Sequence, residues 1–248
     1  SAYDGIVLKT FGDDLVLTFA GSDDRVTLAR ALTNDAEQGV ERIVFDDGVS
    51  WSMADARARL LAEAATSGAD AISGFKWNDV LAGGKGDDAL AGGVGDGAYV
   101  FNLGDGADTI REDRFGGGDR LQINGYRLDE TIFARNGDDL IVTFANSTDR
   151  VTLIGSFANN EETGVETIVF DTGANLSMAD VRARVLAGLA TSGADSIFGT
   201  DGDDILIGAK GADYLNGGRG DDVYLYAAGD GDDRIEATVG ADRLRLID

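Results

Sequence analysis

The 248-residue chain has no cysteine, no histidine and no proline. Without cysteine there is no disulfide framework and no thiol nucleophile. Without histidine the chain cannot build a Ser/His/Asp triad, an HExxH zinc site or an imidazole general base. The lack of proline, where about 5% is usual, removes slow isomerisation from folding. No run of about 18 apolar residues occurs, so no segment reads as a membrane span. No signal-peptide pattern opens the chain, and the start at Ser1 reads as that of an excised piece. Basic residues are scarce, 21 Lys plus Arg against 45 Asp plus Glu, giving a net charge of -24. That charge opposes any role on nucleic acid or an anionic membrane.

What is present is glycine, aspartate and enough apolar matter for a core. Glycine accounts for 36 residues, about twice the usual ~7%. Hydrophobic residues make up 43% of the chain, too many for an acidic disordered tail. A compact chain with this charge repels itself, and bound cations would offset the penalty. Glycine and aspartate also keep a nine-residue rhythm: GGKGDDALA at 83–91, then GTDGDDILI, GAKGADYLN and GGRGDDVYL over 199–225. In the last of these, Gly217, Gly218 and Gly220 can take φ > 0 and turn the chain tightly, Asp222 closes the turn and Tyr224 points inward from a very short strand. Carbonyls and a carboxylate then face one side. Oxygen-only ligands in a flexible loop suit Ca²⁺ better than Zn²⁺ or Mg²⁺.

The whole chain is a duplication. Asp13 recurs as Asp138, Thr66 as Thr191 and Tyr99 as Tyr224, each pair 125 residues apart. GVERIVFD (39–46) returns as GVETIVFD (164–171), and SMADARAR (52–59) as SMADVRAR (177–184). The register breaks only between Ile110/Ile235 and Leu121/Leu244, where the separations are 11 and 9 residues. The expected units are 1–125 and 126–248, set within a longer array. Each begins with alternating strands (6–45 and 130–171), such as DLVLTF (14–19), RVTLA (25–29) and ERIVF (41–45). Ser52 and Ser177, each followed three residues on by aspartate, predict capped amphipathic helices over 53–65 and 178–190 packed on sheet. The nonapeptide arrays follow, over 66–123 and 191–248.

The GGxGxDxUx pattern, with U apolar, resembles the RTX (repeats-in-toxin) family of secreted calcium-binding proteins, and the strand and helix zones resemble the family's haemolysin-type calcium-binding related domain. The resemblance implies a mainly β fold, a right-handed parallel β-roll in which two nonapeptides make one coil and Ca²⁺ sits between turns two repeats apart. It implies six oxygens per ion: the sixth-position aspartates of both turns, carbonyls two and four of the earlier turn and one and three of the later. In the second unit this sets Thr191, Gly193 and Asp195 against Gly208, Lys210 and Asp213, and Thr200, Gly202 and Asp204 against Gly217, Arg219 and Asp222. It also sets Ala209, Gly211 and Asp213 against Ala228, Asp230 and Asp233, and Gly218, Gly220 and Asp222 against Ala237, Val239 and Asp242, the last turn lacking glycines. In the first unit Thr66, Gly68 and Asp70 pair with Gly83, Lys85 and Asp88, and Gly84, Gly86 and Asp88 with Leu103, Asp105 and Asp108. There Gly97 replaces a sixth-position aspartate and Phe75 to Trp77 replace turn glycines. The edge of Asp79, the 92–97 turn and Asp119 is therefore expected to bind calcium weakly or not at all, and the second unit to hold more ions.

Outside the register, Asp13/Asp14, Asp46/Asp47 and Asp138/Asp139 read as hairpin turns. Trp51 and Trp77 read as core rather than sugar platforms. Arg57, Arg59, Arg182 and Arg184 read as partners of the chain's own carboxylates. Three function classes stand: a non-catalytic calcium-dependent folding module of a protein exported by a type I system to the cell exterior or surface, as the resemblance implies; an adhesin or surface-layer segment with a carbohydrate or protein ligand; and an enzyme with a carboxylate pair, for which no non-repeated acidic cluster speaks. Exposed apolar residues at matching positions of both units would favour the second.

Overall fold

The computed structural model describes residues 5–32, 39–112, 117–158 and 164–247. Parts of the expected strand zones (33–38 and 159–163), part of the first array (113–116) and residue 248 lie outside the described residues.

The chain opens on an antiparallel sheet of β1 (Ile6–Phe11), β2 (Asp14–Phe19) and β3 (Arg25–Leu28). Phe11 pairs with Asp14 across a two-residue turn, so Asp13 and Asp14 are hairpin residues. A second hairpin, β4 (Arg42–Val44) and β5 (Ser50–Ser52), turns through Asp46 and Asp47. Helix α1 (Met53–Ala64) starts on a complete capping box: Ser52 Oγ accepts from Asp55 N–H at 3.1 Å, and Asp55 Oδ2 accepts from Ser52 N–H at 2.8 Å. The first array supplies β6 (Ala71–Ser73), β7 (Val80–Ala82), β8 (Ala89–Ala91), β9 (Ala98–Asn102), β10 (Ala107–Arg111) and β11 (Arg120–Asn124).

The second unit repeats the order. It has β12 (Thr131–Asn136), β13 (Asp139–Phe144), β14 (Arg150–Leu153), β15 (Thr167–Phe170), β16 (Asn175–Ser177) and α2 (Met178–Ala187) with the same capping box at Ser177. Then come β17 (Ser196–Phe198), β18 (Ile205–Ile207), β19 (Tyr214–Asn216), β20 (Val223–Ala227), β21 (Arg234–Glu236) and β22 (Arg243–Ile247). The helices stop at Ala64 and Ala187, short of the expected 65 and 190; Gly188 forms the second C-cap, where the low helix propensity of glycine ends the run.

Each array strand pairs in parallel with the one two repeats later, giving β6–β8–β10, β7–β9–β11, β17–β19–β21 and β18–β20–β22. The cause is local. A three-residue strand offers one inward side chain, and here it is Ile72, Leu81, Leu90, Ile197, Leu206 or Leu215, each buried. Alone such a strand buries too little to be stable; stacked, the residues form a continuous column. The fold is mainly β, a parallel β-roll with one short helix per unit. The helices close the head of each roll: Leu61 joins the column of Ile72 and Leu81, and Leu186 that of Ile197 and Leu206.

The sheets cross residue 125 without a break. β14 pairs in parallel with β10 and β15 with β11, so one sheet runs β12-β13-β14-β10-β8-β6 and its partner β16-β15-β11-β9-β7. The opening strands of the second unit are thus the last coil of the first roll. One core holds Leu121 and Ile123 together with Val151 and Ile168, all fully buried. At about 1.5–3 kcal/mol per buried aliphatic side chain, this junction is a main source of stability.

Candidate metal-binding edges

The sixth-position aspartates form ladders along the edges of the rolls. Asp70 N–H donates to Asp88 Oδ1 at 2.8 Å and Asp88 N–H to Asp108 Oδ1 at 3.1 Å. The second unit repeats this with Asp195 to Asp213 (2.8 Å) and Asp213 to Asp233 (3.1 Å). On its other edge Asp204 donates to Asp222, and Asp222 to Asp242, both at 3.0 Å. In each step one carboxylate oxygen is engaged. At Asp88, Asp213 and Asp222 the other oxygen, Oδ2, is buried without a hydrogen-bond donor, and so are Asp119 Oδ2 and Asp204 Oδ1. A buried carboxylate oxygen with no donor is costly. A cation at that point removes the cost, so the residues present fit Ca²⁺.

Backbone carbonyls crowd the same places. A Cβ added at Gly84 would lie 2.7 Å from Thr66 O, one at Gly86 2.5 Å from Gly68 O, and one at Gly220 2.6 Å from Gly202 O. Among the described residues no three acidic side chains converge on one point. The donor set is therefore one or two carboxylates with main-chain oxygens, a hard, flexible shell suited to calcium. Lys85, Lys210 and Arg219 are exposed, which leaves only their carbonyls for the edge. The carbonyls of Asp105, Asp230 and Val239 accept from Gly86, Gly211 and Gly220 N–H at 2.7, 2.6 and 2.9 Å. Leu103, Ala228, Ala237 and Val239 are exposed in their turns, and at the last turn Thr238 donates its hydroxyl to Gly218 O.

The first aspartate of each ladder is used locally. Asp70, Asp195 and Asp204 accept from the backbone N–H of Thr66, Thr191 and Thr200 at 2.6, 2.6 and 2.5 Å and from the same threonine hydroxyls. The threonine hydroxyls in turn accept from Gly68, Gly193 and Gly202 N–H. Asp79 accepts from Phe75 N–H at 2.6 Å.

Glycines serve two distinct purposes. Gly84, Gly86, Gly218 and Gly220 hold positive φ, as expected. Gly217 does not, contrary to the sequence reading, and neither do Gly83 and Gly208. These first glycines are needed for space: an added Cβ would lie 2.7, 3.0 and 2.8 Å from the Cβ of Asp88, Asp213 and Asp222 at Gly83, Gly208 and Gly217 respectively. Ala209 keeps φ +62° at a second position where its counterparts are glycine.

Burial raises the carboxyls along these edges. Asp108 is pushed up to about 7 by burial, reinforced by Asp88, Asp105 and Asp87 against the stabilising Asp88 N–H. Asp222 is pushed up to about 6 by burial and by Asp204, Asp242 and Asp203. Burial likewise raises Asp79, Asp119, Asp204 and Asp233.

The Asp79–Asp119 edge is built differently. Gly97 N–H donates to Asp119 Oδ1 at 2.5 Å, but Gly97 has no carboxylate to continue the ladder back to Asp79. Two residues that sequence reasoning missed stand there. Glu112 is buried beside Gly92, where an added Cβ would lie 2.8 Å from its Oε2, and it accepts from the Tyr99 hydroxyl. Glu166, on the β15 side of the junction, accepts from Asp119 N–H, the place a further array aspartate would take. The only available signal was a glutamate ahead of the same strand in both units, Glu41 and Glu166.

The helix arginines depart from the simple carboxylate pairing expected of them. Arg57 lies 4.0 Å above the Trp77 ring and Arg59 4.1 Å above Trp51. Trp51 is core, edge-on to Phe45, whereas Trp77 is only half-buried beneath its arginine. The charge of Arg57 also opposes the upward shift of Asp79, and that of Arg182 the shift of Asp204. A Cβ at Gly202, the counterpart of Trp77, would lie 3.4 Å from Arg182 Nη2. Each helix thus lays a guanidinium over the first turn of one edge.

No curated protein matches the chain. Among solved structures, the crystal structure of the extracellular lipase LipA from Serratia marcescens is similar at 18% identity, over 73% of this chain and 31% of that one, with a TM-score of 0.19. The family model for the haemolysin-type calcium binding protein related domain matches residues 14–55 and 139–180. That for the RTX calcium-binding nonapeptide repeat (4 copies) matches residues 65–98, 189–224 and 227–245. With ladders of half-satisfied aspartates running through those same turns, the chain belongs to the haemolysin-type RTX calcium-binding repeat family, and its nonapeptide repeats bind Ca²⁺.

Proposed function

We propose that this chain is a non-catalytic module that folds when calcium binds outside the cell, as part of an exported protein. The observation that carries the reading is the row of buried carboxylate oxygens without donors at Asp88, Asp119, Asp204, Asp213 and Asp222. Extracellular calcium modules bind at about 10⁻⁴ to 10⁻³ M, so scarce cytosolic calcium leaves the edges charged and the rolls loose. Outside, binding neutralises the aspartates and stabilises the folded state by mass action. Among the described residues no helix is long and apolar enough to cross a membrane.

The ligands in this reading are the pairs named from the nonapeptide register. The ladders Asp70–Asp88–Asp108, Asp195–Asp213–Asp233 and Asp204–Asp222–Asp242 supply the carboxylates. The interrupted Asp79–Asp119 edge holds calcium more weakly, and the units divide near residue 125. Exposed apolar residues at matching positions do exist, Val80 with Ile205 and Val7 with Ile132. The four lie in four different sheets rather than on one shared surface, which favours the folding module over an adhesin.

The test is a calcium titration followed by circular dichroism. The native chain gains β signal cooperatively with calcium, and Asp204→Ala and Asp213→Ala shift the midpoint to higher calcium, Asp213→Ala more because its ladder continues on both sides. A chain fully folded in chelator and indifferent to calcium would overturn the reading.

A further inference from the structure

Strands β3 and β4 and strands β21 and β22 repeat the two halves of the junction buried between the units. At that junction β10 and β11 close the first roll against β14 and β15, and Leu121, Ile123 and Val151 are 0% exposed. Their repeat counterparts are open. Leu244 is 57% and Leu246 73% exposed on β22, and Val26 is 45% exposed on β3. Among the described residues β21 and β22 are paired on one side only, in parallel with β19 and β20, and β3, the counterpart of β14, is paired on one side only, antiparallel with β2. Both faces therefore present unpaired backbone and apolar side chains together.

We propose that the β21–β22 face of one copy of this chain docks on the β3–β4 face of a second copy, head to tail, in the register that β10–β11 make with β14–β15. The proposal goes beyond calcium binding; its basis is that the chain already contains this interface once, made from the same repeated sequence. Transferring the observed pairs Ala107↔Arg150 and Leu121↔Ile168 to their counterparts sets Asp232 opposite Arg25 and Leu244 opposite Ile43. The carboxylate of Glu166 that accepts from Asp119 N–H becomes Glu41 accepting from Asp242 N–H. The Arg25–Asp232 pair adds a charge match that the internal junction, with Ala107, lacks. Arg243 opposite Arg42, where the junction has Arg120 opposite Thr167, is the one like-charge pair, and both side chains are exposed. Because the faces differ, each added copy leaves one of each kind free, and association is open-ended rather than closed by a two-fold axis.

Sedimentation velocity over a concentration series, in calcium and in chelator, with circular dichroism on the same samples, tests this. In calcium the native chain grows with concentration from monomer to dimer to longer species. Val26→Asp on one face and Leu244→Asp on the other each leave a folded monomer, whereas an equimolar mixture of the two forms a dimer and stops, since each retains the face the other lacks. Leu246→Asp serves in place of Leu244→Asp if that variant loses its calcium-induced dichroism. A native chain that folds in calcium yet stays monomeric at every concentration overturns the docking and leaves the calcium reading intact. So does a dimer ceiling for the native chain, or self-association by Val26→Asp alone. A chain that is folded and associates equally in chelator overturns the calcium reading and sustains the docking.

Discussion

Within one nonapeptide the glycines are not equivalent, and the difference is measurable. The second and fourth are bound to positive φ, whereas the first is bound by the volume of its own aspartate: an added methyl at Gly217 would lie 2.8 Å from Asp222 Cβ. Gly217→Ala is therefore expected to destabilise the calcium-bound chain by roughly 1–3 kcal/mol, the usual cost of overpacking, despite an ordinary backbone conformation. Thermal denaturation in saturating calcium measures it, and an unchanged midpoint would show that Asp222 can yield. Ala209 gives the opposite case. It holds φ +62° where Gly84 and Gly218 hold +86° and +92°. Relieving a left-handed alanine gains about 1–2 kcal/mol, partly offset by the greater chain entropy of glycine, about 0.5–1 kcal/mol. Ala209→Gly should thus raise stability slightly, seen as a higher melting temperature, and a fall would contradict the strain.

At the scale of elements, the helix is a lid for the roll as much as a connector. Arg182 stands over the Thr200–Gly202 turn, and its charge opposes the rise of the buried Asp204, so it occupies the place of a cation before the first coil of that edge. Arg182→Gln should cost roughly 1–3 kcal/mol, the range for a buried group left without its partner, and shift the calcium midpoint upward. Arg182→Lys should recover part of the loss, and a calcium titration of the three chains decides it. The capping boxes at Ser52 and Ser177 and the hairpin aspartates were legible in the sequence because each is fixed by contacts within a few residues, whereas the two-repeat pairing, which joins residues 18 to 20 apart, followed from the family resemblance. Glu112 and the role of Glu166 were not. Their positions depend on which strand lies beside Asp119, and β15 reaches it from 47 residues away. The same holds for β14 and β15 as the closing coil of the first roll: their alternating pattern fits any half-buried strand, and only the partner sheet decides which one they extend.

Over the whole molecule, a chain of net charge -24 places some of its aspartates in buried ladders, and this links folding to protons as well as to calcium. Asp108 and Asp222 are raised to about 7 and about 6 by burial among other carboxyls. A raised aspartate binds its proton more tightly in the folded state than in the unfolded chain, where its pKa is near 3.9. Between those values the folded state holds more protons, so without calcium its stability rises as pH falls from about 7 towards 4. With calcium the direction reverses, because the ion requires the ionised carboxylates that protonation removes. In chelator, mild acid should therefore increase β signal, while the calcium midpoint should move to higher concentration over the same pH window. Circular dichroism against pH, with and without calcium, measures both arms. If the calcium-free chain loses structure on acidification through that window, the buried ladders are not what opposes its folding.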